Sequence, residues 1–139
     1  MEVFMVAYSF APRFIEPIRQ GVKTQTIRAI GKRSHVRMGQ MLQIYSGMRT
    51  AHCVRIIPDT PCLDSSLIMI DFDDAMRITL IEVYGLPVIH LDAFAIRDGF
   101  KNIEDMGAFW RFMHGPMERF TGALIEWARP AETMLGAAA

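Results

Sequence analysis

Apolar residues fall along this chain in short alternating runs, with few long periodic blocks. Residues 2–9 are apolar and β-rich and predict a strand. Pro12 suits the first turn of a short helix, with Phe14, Ile15 and Ile18 at helical spacing and Gly21 as its stop. Thr24, Thr26 and Ile27 favour an extended strand over residues 23–28. Residues 29–39 are polar and basic, punctuated by Gly31 and Gly39, and predict a loop.

Residues 41–45 and 51–57 predict a strand pair joined by the turn Ser46-Gly47-Met48-Arg49. Pro58 and Pro61 mark residues 58–66 as a second loop. Residues 67–72 and 76–84 predict two further strands across Asp73-Asp74, and Gly85 and Pro87 break the pattern. Residues 91–96 predict a short helix ended by Gly99. Asn102 is the expected N-cap of a helix over residues 103–114, with Asp105 in its first turn. Met106, Phe109, Trp110 and Met113 form its apolar stripe, Gly115-Pro116 ends it, and residues 122–127 predict a last strand. Five or six short strands with two or three helices give an α/β (α+β) expectation: a small β-barrel of mostly antiparallel strands with helices outside. Residues 1–130 read as one domain and residues 131–139 as a frayed tail.

Composition narrows the class. Of 139 residues, 51% are hydrophobic and 22% charged, enough for a packed core and too apolar for disorder. No apolar run is long enough to span a bilayer, and the start lacks a signal-peptide layout, so the expectation is a cytoplasmic protein with no membrane partner. Such a chain keeps Cys53 and Cys62 reduced. His35, His52, His90 and His114 show no ligand spacing, so neither a metal nor another cofactor is expected. Net charge is zero but unevenly spread. Through Arg55 there are nine basic and two acidic residues, and beyond it six basic and thirteen acidic. Either the basic part forms a phosphate-attracting face, or the two parts interleave and neutralise each other.

Three segments carry candidate chemistry. In Gly21-Val22-Lys23-Thr24-Gln25-Thr26-Ile27-Arg28, an extended chain puts Thr24, Thr26 and Arg28 on one face. Lys23 joins them only from the turn after Gly21. A desolvated lysine beside an arginine has a lowered pKa and is able to act as a base, with a threonine hydroxyl as nucleophile. An ordinary edge strand with solvated charges is the competing reading. Asp98, before Gly99 at a helix end, is placed either to hold Lys23 or Arg28 or to bond its own turn. In Gln43-Ile44-Tyr45-Ser46-Gly47-Met48-Arg49, Tyr45 suits base stacking and Arg49 suits a phosphate or carbonyl oxygen. Tyr45 as a partly buried core residue competes with that.

Together these segments resemble the ASCH domain family over roughly residues 2–128. Gly21 to Arg28 resembles its G-x-K-T-x-T-x-R signature. Gly39-Gln40-Met41-Leu42-Gln43-Ile44 resembles its G-D-x-L-x-I strand, with Gln40 where aspartate is usual. Ala95-Ile96-Arg97-Asp98-Gly99-Phe100, followed by Phe109-Trp110, resembles its later helical motif. The resemblance implies a PUA-like β-barrel with a cleft that binds RNA or a modified nucleoside or nucleotide. Ligand contacts would come from Thr24, Arg28, Tyr45, Ser46 and Arg49, and phosphate contacts from Lys32, Arg33 and Arg37. One branch of the family removes acyl groups from N4-acylcytidine with lysine, threonine and glutamate. Carried over, these fall on Lys23, Thr26 and Asp98, the last one methylene shorter than glutamate. Hydrolysis of this kind, or ribonuclease action in the same cleft, is the alternative, and it needs no metal and no cofactor.

Overall fold

A computed structural model describes residues 5–130. Strand β1 (Met5–Phe10) leads through a single 3-10 turn (Pro12–Phe14) into helix α1 (Ile15–Arg19). Strands β2 (Gln25–Ala29), β3 (Met41–Ser46), β4 (Val54–Phe72), β5 (Ile78–Val83) and β6 (Leu86–Pro87) follow. Helices α2 (Leu91–Arg97) and α3 (Ile103–His114) precede the last strand, β7 (Arg119–Trp127). The result is a small α+β fold, with seven strands against the five or six expected. No helix among the described residues is long and apolar enough to cross a membrane. The expected tail at 131–139 and the first residues of the first strand lie outside the described residues.

The largest departure from expectation is β4, which runs unbroken through the predicted loop at 58–66. Leu42 pairs with Thr60 and Ile44 with Ile57, so β4 carries an extra residue there, and Pro58 falls in that bulge. Pro61 faces Met41 at the end of the β3–β4 ladder. Proline is tolerated at both kinds of position because neither demands a regular ladder N–H. Beyond this point β4 alternates cleanly, with Cys62, Ser66, Ile68, Ile70 and Phe72 buried. β6 was not expected; it is joined to β5 by Tyr84-Gly85, both at positive φ (52° and 76°), a two-residue hairpin turn. Helix α3 has the expected bounds, and Asn102 Oδ1 accepts from the Asp105 N–H at 2.9 Å.

β1 pairs parallel with β3, β3 antiparallel with β4, and β4 with β5 and β7; β7 also carries β2. β1 and β2 end this path without pairing, so the sheet is not closed into a barrel. Arginine side chains span the seam instead. Arg28 on β2 donates from Nη2 to the Ser9 carbonyl at 2.9 Å, and Arg33 donates to the Ala7 carbonyl. These side chains satisfy edge carbonyls that a closed barrel would pair with a strand. Leu42, Ile44, Ile68, Ile70, Ile81 and Ile125 are fully buried and fill the inner face of the sheet.

Candidate functional site

The seam between β1 and β2 opens into a cleft of about 280 Å³. The polar side chains of its lining are Ser9, Lys23, Thr26, Arg28, Asp98 and His114, three of them from the stretch Gly21 to Arg28. Lys23 lies in the turn after α1, before β2 begins at Gln25, which frees it from the strand's alternation. Its backbone N–H and that of Val22 both donate to the Pro17 carbonyl at 2.9 Å, fixing that turn. The Thr24 N–H then donates to the Arg97 carbonyl at 3.0 Å, tying this segment to the end of α2 and so to Asp98.

Gly99 makes that closeness possible. Its φ is +97°, and a Cβ there would sit 2.7 Å from Lys23 Cδ and 2.8 Å from Phe14 Cδ1. Only glycine fits both the conformation and the space.

Lys23 and Asp98 are buried, at 2% and 4% exposure. The Lys23 ammonium donates to the Asp98 main-chain carbonyl and stands 3.8 Å from Oδ1 of its carboxylate. It also lies 4.6 Å from the Phe14 ring centroid and 5.5 Å from that of Phe10. Burial pushes the Lys23 pKa down to about 8; Asp98 opposes this, while Arg28 and Arg13 add to it. Burial pushes the Asp98 carboxyl up to about 6, against the pull of Lys23, a Gln25 hydrogen bond and Arg28. Arg28 donates from Nε to Thr26 Oγ1 at 3.1 Å and packs its guanidinium 4.8 Å from the Phe10 centroid. Thr26 therefore accepts from Arg28 and keeps its own O–H to donate. Among the described residues Lys23 and Thr26 are not hydrogen-bonded to each other.

The other walls are rings. Phe14, Phe100 and Phe109 interlock, with centroids 5.3–5.5 Å apart, and the Arg13 guanidinium covers the cluster while pairing with Asp105 at 2.9 Å. Trp110 and His114, one turn apart on α3, lie with ring centroids 4.6 Å apart and planes tilted by 36°. Phe109 and Trp110 read as core in the sequence, and Trp110 is indeed buried, but both also line the cleft. Their signal was the i, i+4 spacing of Trp110 and His114, which puts both rings on one helix face.

The remaining candidates do not line the cleft. Thr24 contributes through its backbone, its carbonyl accepting from the Trp127 N–H at 3.0 Å. Tyr45 accepts at its phenol oxygen from Arg55 Nη2 at 3.0 Å, under the Arg55 guanidinium, and so is committed to its β4 neighbour. Ser46 is buried and donates to the Phe10 carbonyl at 2.8 Å, joining β3 to β1. Arg49 is exposed in the β3–β4 turn at φ 64°. Lys32 and Arg37 are exposed on the loop between β2 and β3. Arg33, also exposed, is held over the Tyr8 ring at 5.3 Å. That loop is pinned at His35, which bridges the Tyr8 hydroxyl (2.9 Å) and the Ala29 carbonyl (2.7 Å). The carbonyl accepts only, so Nε2 carries a proton.

Among the described residues no three His, Cys, Asp or Glu side chains gather as metal ligands. The arrangement offers two cationic donors, the hydroxyls of Thr26 and Ser9, the His114 imidazole and one carboxylate in the lining of a cleft rich in aromatic rings. No family model, curated protein or solved structure matches the chain.

Proposed function

We propose that the cleft holds one nucleobase, free, in a nucleoside or nucleotide, or splayed from single-stranded RNA. The observation that carries this reading is the buried Lys23–Asp98 pair facing the same cleft as Arg28 and Thr26, between walls of aromatic rings. Flat apolar walls suit a planar ring, and a few convergent donors suit its carbonyl oxygens and ring nitrogens. Lys23 has three N–H donors and hydrogen-bonds one protein acceptor, the Asp98 carbonyl. A base carbonyl supplies a second acceptor. The cleft admits a single base and no duplex, and Lys32, Arg37 and Arg49 lie outside its lining. The resemblance of residues 21–28 to the ASCH signature supports the same reading.

A second reading is favoured by the placement of a buried Lys23, its pKa pushed down by burial to about 8, in the same cleft lining as the Thr26 hydroxyl. A neutral Lys23 would take the Thr26 hydroxyl proton while Oγ1 attacks an exocyclic amide carbonyl. The C–N bond then breaks, and the amine leaves with the proton held by Lys23. Water, deprotonated by Lys23, hydrolyses the threonine ester and restores both groups. N4-acylcytidine is the substrate class this implies, and ribonuclease action in the same cleft is the weaker form of this alternative.

The two readings have opposite pH dependence. Binding through a Lys23 ammonium weakens as pH rises through about 8, whereas hydrolysis by neutral Lys23 strengthens over the same range. Cytidine and N4-acetylcytidine are titrated between pH 6 and 9, and cytidine release is followed in parallel, with Lys23→Ala as control. Saturable binding that fades above pH 8 without turnover supports the binding reading. Turnover that rises through pH 8 and vanishes in Lys23→Ala supports hydrolysis. Neither binding nor turnover overturns both.

A further inference from the structure

Charge at the cleft is unbalanced. Lys23 has Asp98 as its counter-charge at 3.8 Å. Arg28 makes no ion pair among the described residues: its bonded partners are the Thr26 hydroxyl and the Ser9 carbonyl, both neutral, and Asp98 acts on it only from beyond ion-pair distance. Its Nε and Nη2 are committed in those two bonds, while Nη1 has no protein acceptor among the described residues. The guanidinium packs against the rings of Phe10 (4.8 Å) and Tyr8 (5.2 Å), which shield it from water on those sides. A partly buried guanidinium with an uncommitted nitrogen and no carboxylate bonded to it, the one carboxylate of the lining being paired with Lys23, is a site for an anion, because a charge-assisted bond is stronger than a neutral one.

From this juxtaposition we infer that the preferred ligand is a planar monoanion, its ring between the aromatic walls and its negative charge on Arg28. This rests on the cleft being a site for planar heterocycles and goes further by naming the charge of the occupant. A neutral cytosine leaves Arg28 without a counter-charge, and a dianion exceeds the single excess positive charge. The charge has two chemical sources: an ionised ring N–H, as in an acidic pyrimidine, or a carboxylate attached to the ring. Both present coplanar oxygen or nitrogen acceptors to a guanidinium. Lys23 then donates to a ring carbonyl without giving up Asp98.

The test uses pairs whose members differ in charge, the two carboxylate–carboxamide pairs being isosteric, titrated at pH 7 with tryptophan emission and calorimetry as readouts. Uracil-6-carboxylate is set against uracil-6-carboxamide, and nicotinate against nicotinamide. For a ring-borne charge, 5-nitrouracil is set against uracil. Tighter binding of the anion by about tenfold or more in at least one pair is expected, the discrimination of a single charge-assisted bond. The pair that shows it identifies the source of the charge. In Arg28→Gln, which keeps a planar donor without the charge, that preference collapses to about threefold or less. Neutral members binding as tightly as the anions, or more tightly, overturn the inference and leave the heterocycle site standing. No binding by any member, nor by cytidine, overturns the site and the inference together. A preference retained in Arg28→Gln overturns the assignment to Arg28.

Discussion

Two sets of cations come from the same basic half of the chain and end in opposite surroundings. Lys23 is buried and Arg28 half-buried; both are fixed in orientation and line a ring-walled cleft. Lys32, Arg37 and Arg49 are exposed and lie on loops and turns that leave the cleft. Counting charge along the sequence puts all five on one notional basic face. The fold separates them by whether a side chain leaves the backbone beside an unpaired strand edge or on a solvated loop. The proposed binding chemistry rests on the first set, because desolvation is what gives a donor its strength and its altered pKa. The second set contributes screened, long-range charge.

Breaking the buried set is expected to have the largest effect. Lys23→Met leaves Asp98 buried without its partner and lowers stability by about 3 kcal/mol at pH 8, as removal of one member of a buried pair does. The loss shrinks near pH 5, where Asp98, with its pKa raised to about 6, takes up a proton. Urea unfolding at the two pH values measures both numbers. Gly99→Ala comes next, at about 2–3 kcal/mol, since it adds a strained φ to contacts under 3 Å with Lys23 and Phe14. Its Lys23 pKa, read by side-chain NMR, is expected to move from the wild-type value.

Replacing the pair together sharpens the comparison. Lys23→Met with Asp98→Leu is expected to be as stable as wild type or up to about 2 kcal/mol more stable, because two buried ions give way to packed apolar groups. The sign of the pH dependence follows from the two shifts. The raised Asp98 value contributes stability at pH below about 4, which is lost as pH rises through about 6. The lowered Lys23 value contributes stability at pH above 10.5, which is lost as pH falls through about 8. The pair therefore costs most stability between about pH 6 and 8, and the double variant's advantage over wild type is greatest in that window. Thermal melts of both proteins from pH 4 to 10 check it. The smallest effect belongs to the solvated set: Lys32→Ala and Arg37→Ala are expected to change stability by less than about 0.5 kcal/mol and to leave cytidine affinity unchanged.

Local signals made part of this site legible. Gly21 ends α1 and leaves Lys23 in a turn, so the condition for Lys23 to share a face with Thr26 and Arg28 was readable before the fold. Asn102 and Gly115 marked the ends of α3 through cap chemistry that needs no tertiary context. Other features depended on pairing. Pro58 reads as a loop residue until the β3–β4 register puts it in a bulge. Tyr45 reads as a stacking platform until that same register sets it against Arg55. The cleft's far wall at Phe109 and Trp110 reads as core because an apolar helix stripe looks the same whether it faces a packed interior or a cavity. The open seam was not readable at all, since it turns on two arginines reaching carbonyls 19 and 26 residues away in sequence.

On the proposed reading the Lys23–Asp98 pair marks a ligand site, for which the fold gives up stability. The most direct test is calorimetric titration of cytidine and uracil-6-carboxylate into wild type and into the Lys23→Met, Asp98→Leu double variant at pH 7, after both are shown to be folded. Saturable binding by wild type, lost in a variant of equal or greater stability, is the predicted result. Equal binding by both proteins would contradict the account and move the site away from this cleft.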